Sequence, residues 1–455
     1  MIFLGLVAGY LTLLIAGAGV ALLIMSRAAR INLIELACLA WLFGVGVISL
    51  SLWLGGILFS GIALQMVVIA ACIALGVLGW RTKQNSRLQL FLPRPTNRLE
   101  WILVVFLLLE LVTIFFVSLK HTLGWDGLFN WEIKARYAFL NSGVLPTSYY
   151  SSSGRAFSHP EYPLAIPFTE LWLYLWMGAP HQFWIKTIFP IFYIAGALLV
   201  ALFVTRLTGK SWLGLLVALL IPFVPFVTAS PGGVIVGYAD IPLSVFYVAA
   251  LGYLLCSFEP DQKFFWRVFL ATLALIPWIK SEGLILWALL ALLGLIVALR
   301  QQRIALALMS ILPGVFLILA WRVYLQIQHV ARPSDFAQPS LHLLTGNLSR
   351  VGPIMRTAFE EVSETAHWSI FWLLALTAII YLFSSRQFLR IVVAITVVAP
   401  VVLYLMTYLF SAWPSYTAHV TSSLPRLLLH VMLASWVAIG LALAPARAKS
   451  ETKLG

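Results

Sequence analysis

Runs of about twenty consecutive apolar residues recur along this chain, and they leave little choice of fold. A helix rising 1.5 Å per residue needs about 20 such residues to cross the ~30 Å hydrocarbon core of a bilayer. Runs of this kind lie near 2–25, 32–54, 57–80, 100–119, 183–205, 211–230, 240–257, 265–279, 283–299, 304–325, 367–384, 388–411 and 424–444. Backbone polar groups in lipid must be paired within their own segment, so the pattern predicts an all-α, polytopic transmembrane helical bundle of about 13 spans. The 265–279 run is short and allows a tilted or broken helix. Composition agrees, with 62% of residues hydrophobic and only 10% charged, against roughly 25% charged in soluble chains.

Charge sets the expected orientation. A net charge of +13 in a soluble chain would point to nucleic acid; here it follows from the Lys and Arg that accumulate in cytoplasmic loops. One choice of topology places inside the connections Arg27 to Arg30, Arg81 to Arg98, Arg206 to Lys210, Lys263 to Arg267, Arg300 to Arg303 and Arg386 to Arg390, and the tail with Arg447, Lys449 and Lys453. The short connection from Leu54 to Ile57, on the other side, has no Lys or Arg. The N-terminus is then outside and the tail, which is expected to be disordered, cytoplasmic, in a bacterial inner membrane. The first run lacks a basic leader and is too long for a signal core, so it reads as a retained span. Cys38, Cys72 and Cys256 all sit in apolar runs, with no metal or disulfide spacing.

The expected organisation is a three-span segment over 1–99 with a basic cytoplasmic loop, a core over 100–325 with an external loop at 120–182, an external loop at 326–366, and C-terminal spans with the tail over 367–455. Residues Pro163 to Gly178 are apolar but short for a span. They predict an external interfacial helix, with Trp172, Tyr174 and Trp176 at the headgroup layer.

Ionisable groups at span ends in a membrane bundle are functional candidates by default. Four clusters carry them, and the charge-derived topology puts all four outside. In Gly124 to Tyr137, a helix from Gly127 would present Asn130, Lys134 and Tyr137 on one face. Asp126 either caps that helix or acts as a general base, with Lys134 or Arg136 binding phosphate. In His159-Pro160-Glu161-Tyr162-Pro163, two prolines predict a stiff, extended lead-in, with His159 or Glu161 facing a cavity. In Gly237-Tyr238-Ala239-Asp240-Ile241-Pro242, Asp240 is a cap or a site residue. In Lys280-Ser281-Glu282, the two charges either pair only with each other or serve the site. Arg322 and Arg426 lie at outer span ends, where snorkelling is the plain alternative. No nucleotide-binding or HExxH motif occurs.

The order and spacing of these clusters resemble the GT-C superfamily of integral membrane glycosyltransferases, in particular protein O-mannosyltransferases and the aminoarabinose transferases of lipid A. The resemblance rests on Trp125-Asp126 through Tyr137, His159 to Leu164, Gly237 to Leu243 and Lys280 to Gly283, and covers about residues 100–300. The chain departs from the superfamily in having Gly127 after Asp126 where a second acid is common, and three spans ahead of the catalytic loop.

The resemblance implies a GT-C-like fold and transfer of a sugar, with inversion, from a polyprenyl-phosphate carrier to a lipid, glycan or protein acceptor on the external face. Asp126 would take the acceptor proton, and Lys134, Arg136 or Arg426 would hold the departing phosphate. Trp125, Asn130, Trp131, Glu132, His159, Glu161, Tyr162, Tyr238, Asp240, Lys280 and Glu282 would line the substrate cavity. Some members of the superfamily use a divalent metal; Asp126, Glu132, Asp240 and Glu282 could offer oxygen ligands to Mg²⁺ or Mn²⁺, although no tight acidic cluster favours one. The competing readings are a lipid-linked glycan ligase or polymerase, for which Arg332, Arg350 and Arg356 leave room, a transporter or flippase, and a non-catalytic scaffold.

Overall fold

The structure is a computed structural model that describes residues 1–228, 233–258, 264–300, 302–330 and 335–444. Lys263, Arg332 and the tail with Arg447, Lys449 and Lys453 lie outside the described residues. The architecture is that of an all-α helical membrane protein. Among the described residues, nine helices are long and apolar enough to cross a membrane: Ile2–Ile24, Leu33–Gly55, Gly61–Gln84, Arg98–Lys120, Gln182–Thr208, Gly283–Arg300, Ile304–Ile327, Phe388–Phe410 and Tyr416–Leu443. Four shorter apolar helices, Ser211–Phe223, Asp240–Cys256, Phe265–Ile279 and Phe371–Ser384, fall on the remaining apolar runs.

Burial ranks these helices from centre to rim. The Tyr416–Leu443 and Gln182–Thr208 helices are 83% and 78% buried, whereas Gly61–Gln84 and Arg98–Lys120 are 17% and 28% buried, so the first two form the middle of the bundle and the second two its rim. The Asp240–Cys256 helix, buried along its whole length, packs between Ile188–Thr208, Phe265–Ile279 and Tyr416–Leu443. Lipid offers no hydrophobic drive between helices, so small residues set close approaches. At Gly17 an added Cβ would fall on the Ala40 carbonyl, and at Gly19 on Leu75.

The basic connections meet at one end of the bundle. Strand Arg30–Asn32 pairs in parallel with Gln89–Phe91, clipping two of them together. Glu35, buried at the start of the Leu33–Gly55 helix, accepts both Arg206 Nη atoms at 3.1 and 2.9 Å and the Tyr253 hydroxyl at 3.0 Å. Ser211 hydrogen-bonds Glu100, and Arg300 lies over the Phe388 ring.

The Ala165–Met177 helix differs from expectation. Trp172 and Tyr174 do not face outward: both are wholly buried in protein. The Trp172 indole donates to the Gly9 carbonyl at 3.1 Å, and an added Cβ on Gly5 or Gly9 would meet Trp176 or Leu173. The glycine face of the first helix therefore receives the aromatic residues that lipid headgroups were expected to receive.

Candidate active site

Glycine brings two of the four clusters together. The Gly124 N–H donates to the Val236 carbonyl at 2.8 Å, and a Cβ on Gly127 would stand 2.7 Å from that same oxygen. Gly237 supplies a left-handed turn with φ +75°, a conformation that a side chain would strain. This close approach sets Asp126 beside Tyr238 and Asp240. The segment after Asp126 is a π-helical turn, Gly127–Glu132, before regular helix begins at Ile133. The predicted regular helix from Gly127 is therefore corrected to a wider first turn, and π turns of this kind gather at functional sites.

Neither aspartate is a cap. Asp126 makes no capping hydrogen bond to the turn it precedes, and no side chain caps the Asp240–Cys256 helix. Both instead belong to one ionic network. Asp240, fully buried, accepts Lys280 Nζ at 2.7 Å and His430 Nε2 at 2.8 Å on Oδ1, and Arg426 Nε at 3.0 Å on Oδ2. Arg426 reaches on through Nη2 to Asp126 Oδ2 and lies over the Tyr238 ring at 4.7 Å. Lys280 also pairs with Glu282 at 2.9 Å. The mutual Lys280–Glu282 pair expected as one reading exists and is anchored to Asp240. Burial works against the Lys280 ammonium, but Asp240 and Glu282 outweigh it and hold its pKa above the ordinary lysine value. Lys280 in turn overcomes the effect of burial on Glu282 and keeps that carboxyl below its ordinary value.

Two members of the network went unnoticed in the sequence, His430 and Tyr404. With Nε2–H given to Asp240, His430 turns Nδ1 to the Tyr404 hydroxyl at 3.1 Å, and that hydroxyl also lies 3.3 Å from the Glu282 carbonyl. Arg426 and His430 are one helical turn apart, a spacing that could have flagged them as one face.

The His159–Pro163 segment meets the network through Tyr162, whose hydroxyl donates to Glu282 Oε1 at 3.3 Å. Here the expected extended lead-in is corrected to a turn: His159 is left-handed at φ +46°, and the Tyr162 N–H returns to its carbonyl at 3.0 Å. His159 Nδ1 pairs with Glu161 at 3.0 Å and its ring stacks on Tyr162. Burial disfavours the imidazolium, but Glu161 prevails and raises the His159 pKa. Glu161, rather than His159, lines a cavity of about 540 Å³ next to the network, with Trp278, Ser281, Trp321 and Arg322.

The other expected residues stand apart from the network. Lys134 is wholly buried, and its Nζ donates to the carbonyls of Asn130 at 2.9 Å and His159 at 2.8 Å, above the Trp131 and Tyr162 rings. Burial pushes its pKa down to about 7 against the pull of Glu161 and Asp126. Two acceptors suit the two hydrogens of a neutral amine. Arg136, nearly half exposed, pairs with Glu132 at 3.0 Å, and Glu132 also accepts the Tyr174 hydroxyl at 2.8 Å. Trp125 is 63% exposed and packs on Phe129. Glu170, fully buried, has no hydrogen-bond partner on either oxygen among the described residues, and burial holds its pKa well above the carboxylate range.

Among the described residues no group of three or more His, Cys, Asp or Glu is arranged to hold a metal ion. The acids expected to supply one are interleaved with cations, Arg426 between Asp126 and Asp240 and Lys280 between Asp240 and Glu282. Glu110 breaks the pattern of charge at span ends: it lies midway along Arg98–Lys120 and accepts the Tyr193 hydroxyl at 2.5 Å. Comparison with family models, curated proteins and solved structures yields no match.

Proposed function

We propose that this protein is a membrane glycosyltransferase that moves a sugar from a polyprenyl-phosphate carrier to an acceptor hydroxyl on the external face of a bacterial inner membrane, with inversion at the anomeric carbon. The observation that carries the reading is the bridge from Asp126 through Arg426 to Asp240. Four segments far apart in sequence converge on it at one end of the bundle. An ionic assembly of this kind is costly to build in a membrane protein, and such assemblies mark sites of chemistry.

In this reading Asp126 is the base. Arg426 holds its Oδ2, which fixes the direction of the carboxylate. Oδ1 has no hydrogen bond among the described residues and is the atom that would take the proton from the acceptor hydroxyl as that oxygen attacks the anomeric carbon. The bond to the phosphate oxygen breaks on the opposite face, and the electron pair leaves with the lipid phosphate. Asp240 positions Arg426 and Lys280 and is too enclosed to meet substrate.

A panel of radiolabelled polyprenyl-phosphate sugars, offered to the purified protein in nanodiscs, tests the proposal. Release of free polyprenyl phosphate from one donor is the expected result. No turnover with any donor would move the weight to a transporter, the reading that Glu110 in mid-span favours.

A further inference from the structure

The cations of the ionic network, and the two expected beside it, are already engaged. Arg426 is shared by Asp126 and Asp240, Lys280 by Asp240 and Glu282, and Arg136 is held by Glu132. Lys134 is enclosed and gives its hydrogens to backbone carbonyls. Three carboxylates face two permanent cations there, so the network has no positive charge to spare for an anionic ligand.

The cavity beside it does. Its walls are mostly apolar, built by Pro163, Pro277, Trp278, Leu317 and Trp321 among others, with Ser281 at the side of the network. Arg322 lines it as its one cation, exposed and with no carboxylate or other partner among the described residues. The neighbouring Trp321 indole donates to the Glu161 carbonyl at 3.0 Å and packs edge-on against Trp278 at 5.4 Å, which fixes this stretch of helix against the cavity. The one acid in the lining, Glu161, is matched by His159. An apolar slot lined by a single guanidinium that is unmatched among the described residues suits an amphiphile with an anionic head, and Arg presents a donor fork that fits phosphate.

We propose that this cavity binds a lipid-borne phosphate monoester, with Arg322 holding the phosphate and the Trp278–Trp321 wall receiving the first apolar units of the chain. The choice of a polyprenyl chain rests on the transferase reading; the phosphate site does not. Ser281, between Lys280 and Glu282, connects this slot to the proposed reaction centre.

Native mass spectrometry of the full chain in uncharged detergent tests the site with four probes: a polyprenyl monophosphate, the matching polyprenol, phosphatidic acid and inorganic phosphate. The wild type is expected to bind the polyprenyl monophosphate about tenfold more tightly than the polyprenol, the scale of one charge-assisted contact. Arg322→Gln should bring the two to parity with polyprenol binding unchanged, and Arg322→Lys should restore part of the preference. Arg322 is exposed, so neither variant disturbs the packing. A preference that survives in Arg322→Gln overturns the proposal, as does binding of inorganic phosphate alone. Phosphatidic acid binding as tightly as the polyprenyl monophosphate overturns the prenyl assignment. No sugar moves in this experiment, so a failed transfer assay with a phosphate preference that depends on Arg322 would remove the transferase reading and leave the site standing.

Discussion

Arg426 Nε meets Asp240 Oδ2 at 3.0 Å although 186 residues separate them in the chain. The contact joins the start of the Asp240–Cys256 helix to the first half of the Tyr416–Leu443 helix, two of the most buried helices in the bundle. Asp240 is thereby the hub of the site: three donors converge on a carboxylate with no exposure.

Asp240→Asn should therefore destabilise strongly. Removing one partner of a buried ionic group leaves uncompensated charge, at a cost of about 3–5 kcal/mol. Thermal unfolding in detergent should show a large fall in midpoint, because Lys280, Arg426 and His430 all lose the charged acceptor they share. A single variant as stable as wild type would show that the network carries no structural load.

Lys134 gives stability a pH slope. Its folded pKa is about 7, against about 10.4 for an unfolded lysine. Between those values the unfolded chain binds the extra proton, so this residue's contribution to stability rises with pH. The unfolding midpoint of wild type relative to Lys134→Met should climb from about pH 7 to about pH 10. A flat difference would contradict the buried placement of the amine.

Glu170 slopes the other way. Its folded pKa lies above the unfolded one, so its contribution is complete below about pH 4.3 and is lost as pH rises. Glu170→Gln, which keeps the shape, should unfold within about 1.5 kcal/mol of wild type at acid pH and gain on it as pH rises. Unfolding midpoints that run parallel from pH 4 to 9 would refute a neutral buried carboxyl.

The first two helices touch backbone to backbone at Gly17. A Cβ there lands on the Ala40 carbonyl, an atom that cannot swing aside. Gly17→Leu should cost at least the 1–3 kcal/mol typical of overpacking, seen as a lowered unfolding midpoint; a change at exposed Phe316 should cost little by comparison.

Much of the helical layout was legible in the sequence because apolar length alone marks a span-sized helix, and the four polar clusters stood out against it. Their pairing was not legible. Asp126, Asp240 and Arg426 each had an adequate local explanation, as caps or a snorkelling side chain, and only the fold shows that Arg426 bridges the two aspartates. His430 and Tyr404 were hidden inside apolar spans, where a single polar residue carries little signal. The surroundings of Trp172 and Tyr174 were not legible for a related reason. Aromatic residues suit a headgroup layer and a protein interior equally well, and the deciding feature, Gly5 and Gly9 on the helix that covers them, lies some 160 residues upstream.

The most direct test of the central claim compares turnover of a polyprenyl-phosphate sugar by wild type and Asp126→Asn at matched donor occupancy. With Asp126 as base, the variant should still bind donor and lose turnover by about 10²- to 10⁴-fold, the usual worth of general base catalysis. Turnover equal to that of wild type would contradict the assignment of Asp126 and, with it, the account of the Asp126–Arg426–Asp240 bridge as a reaction centre.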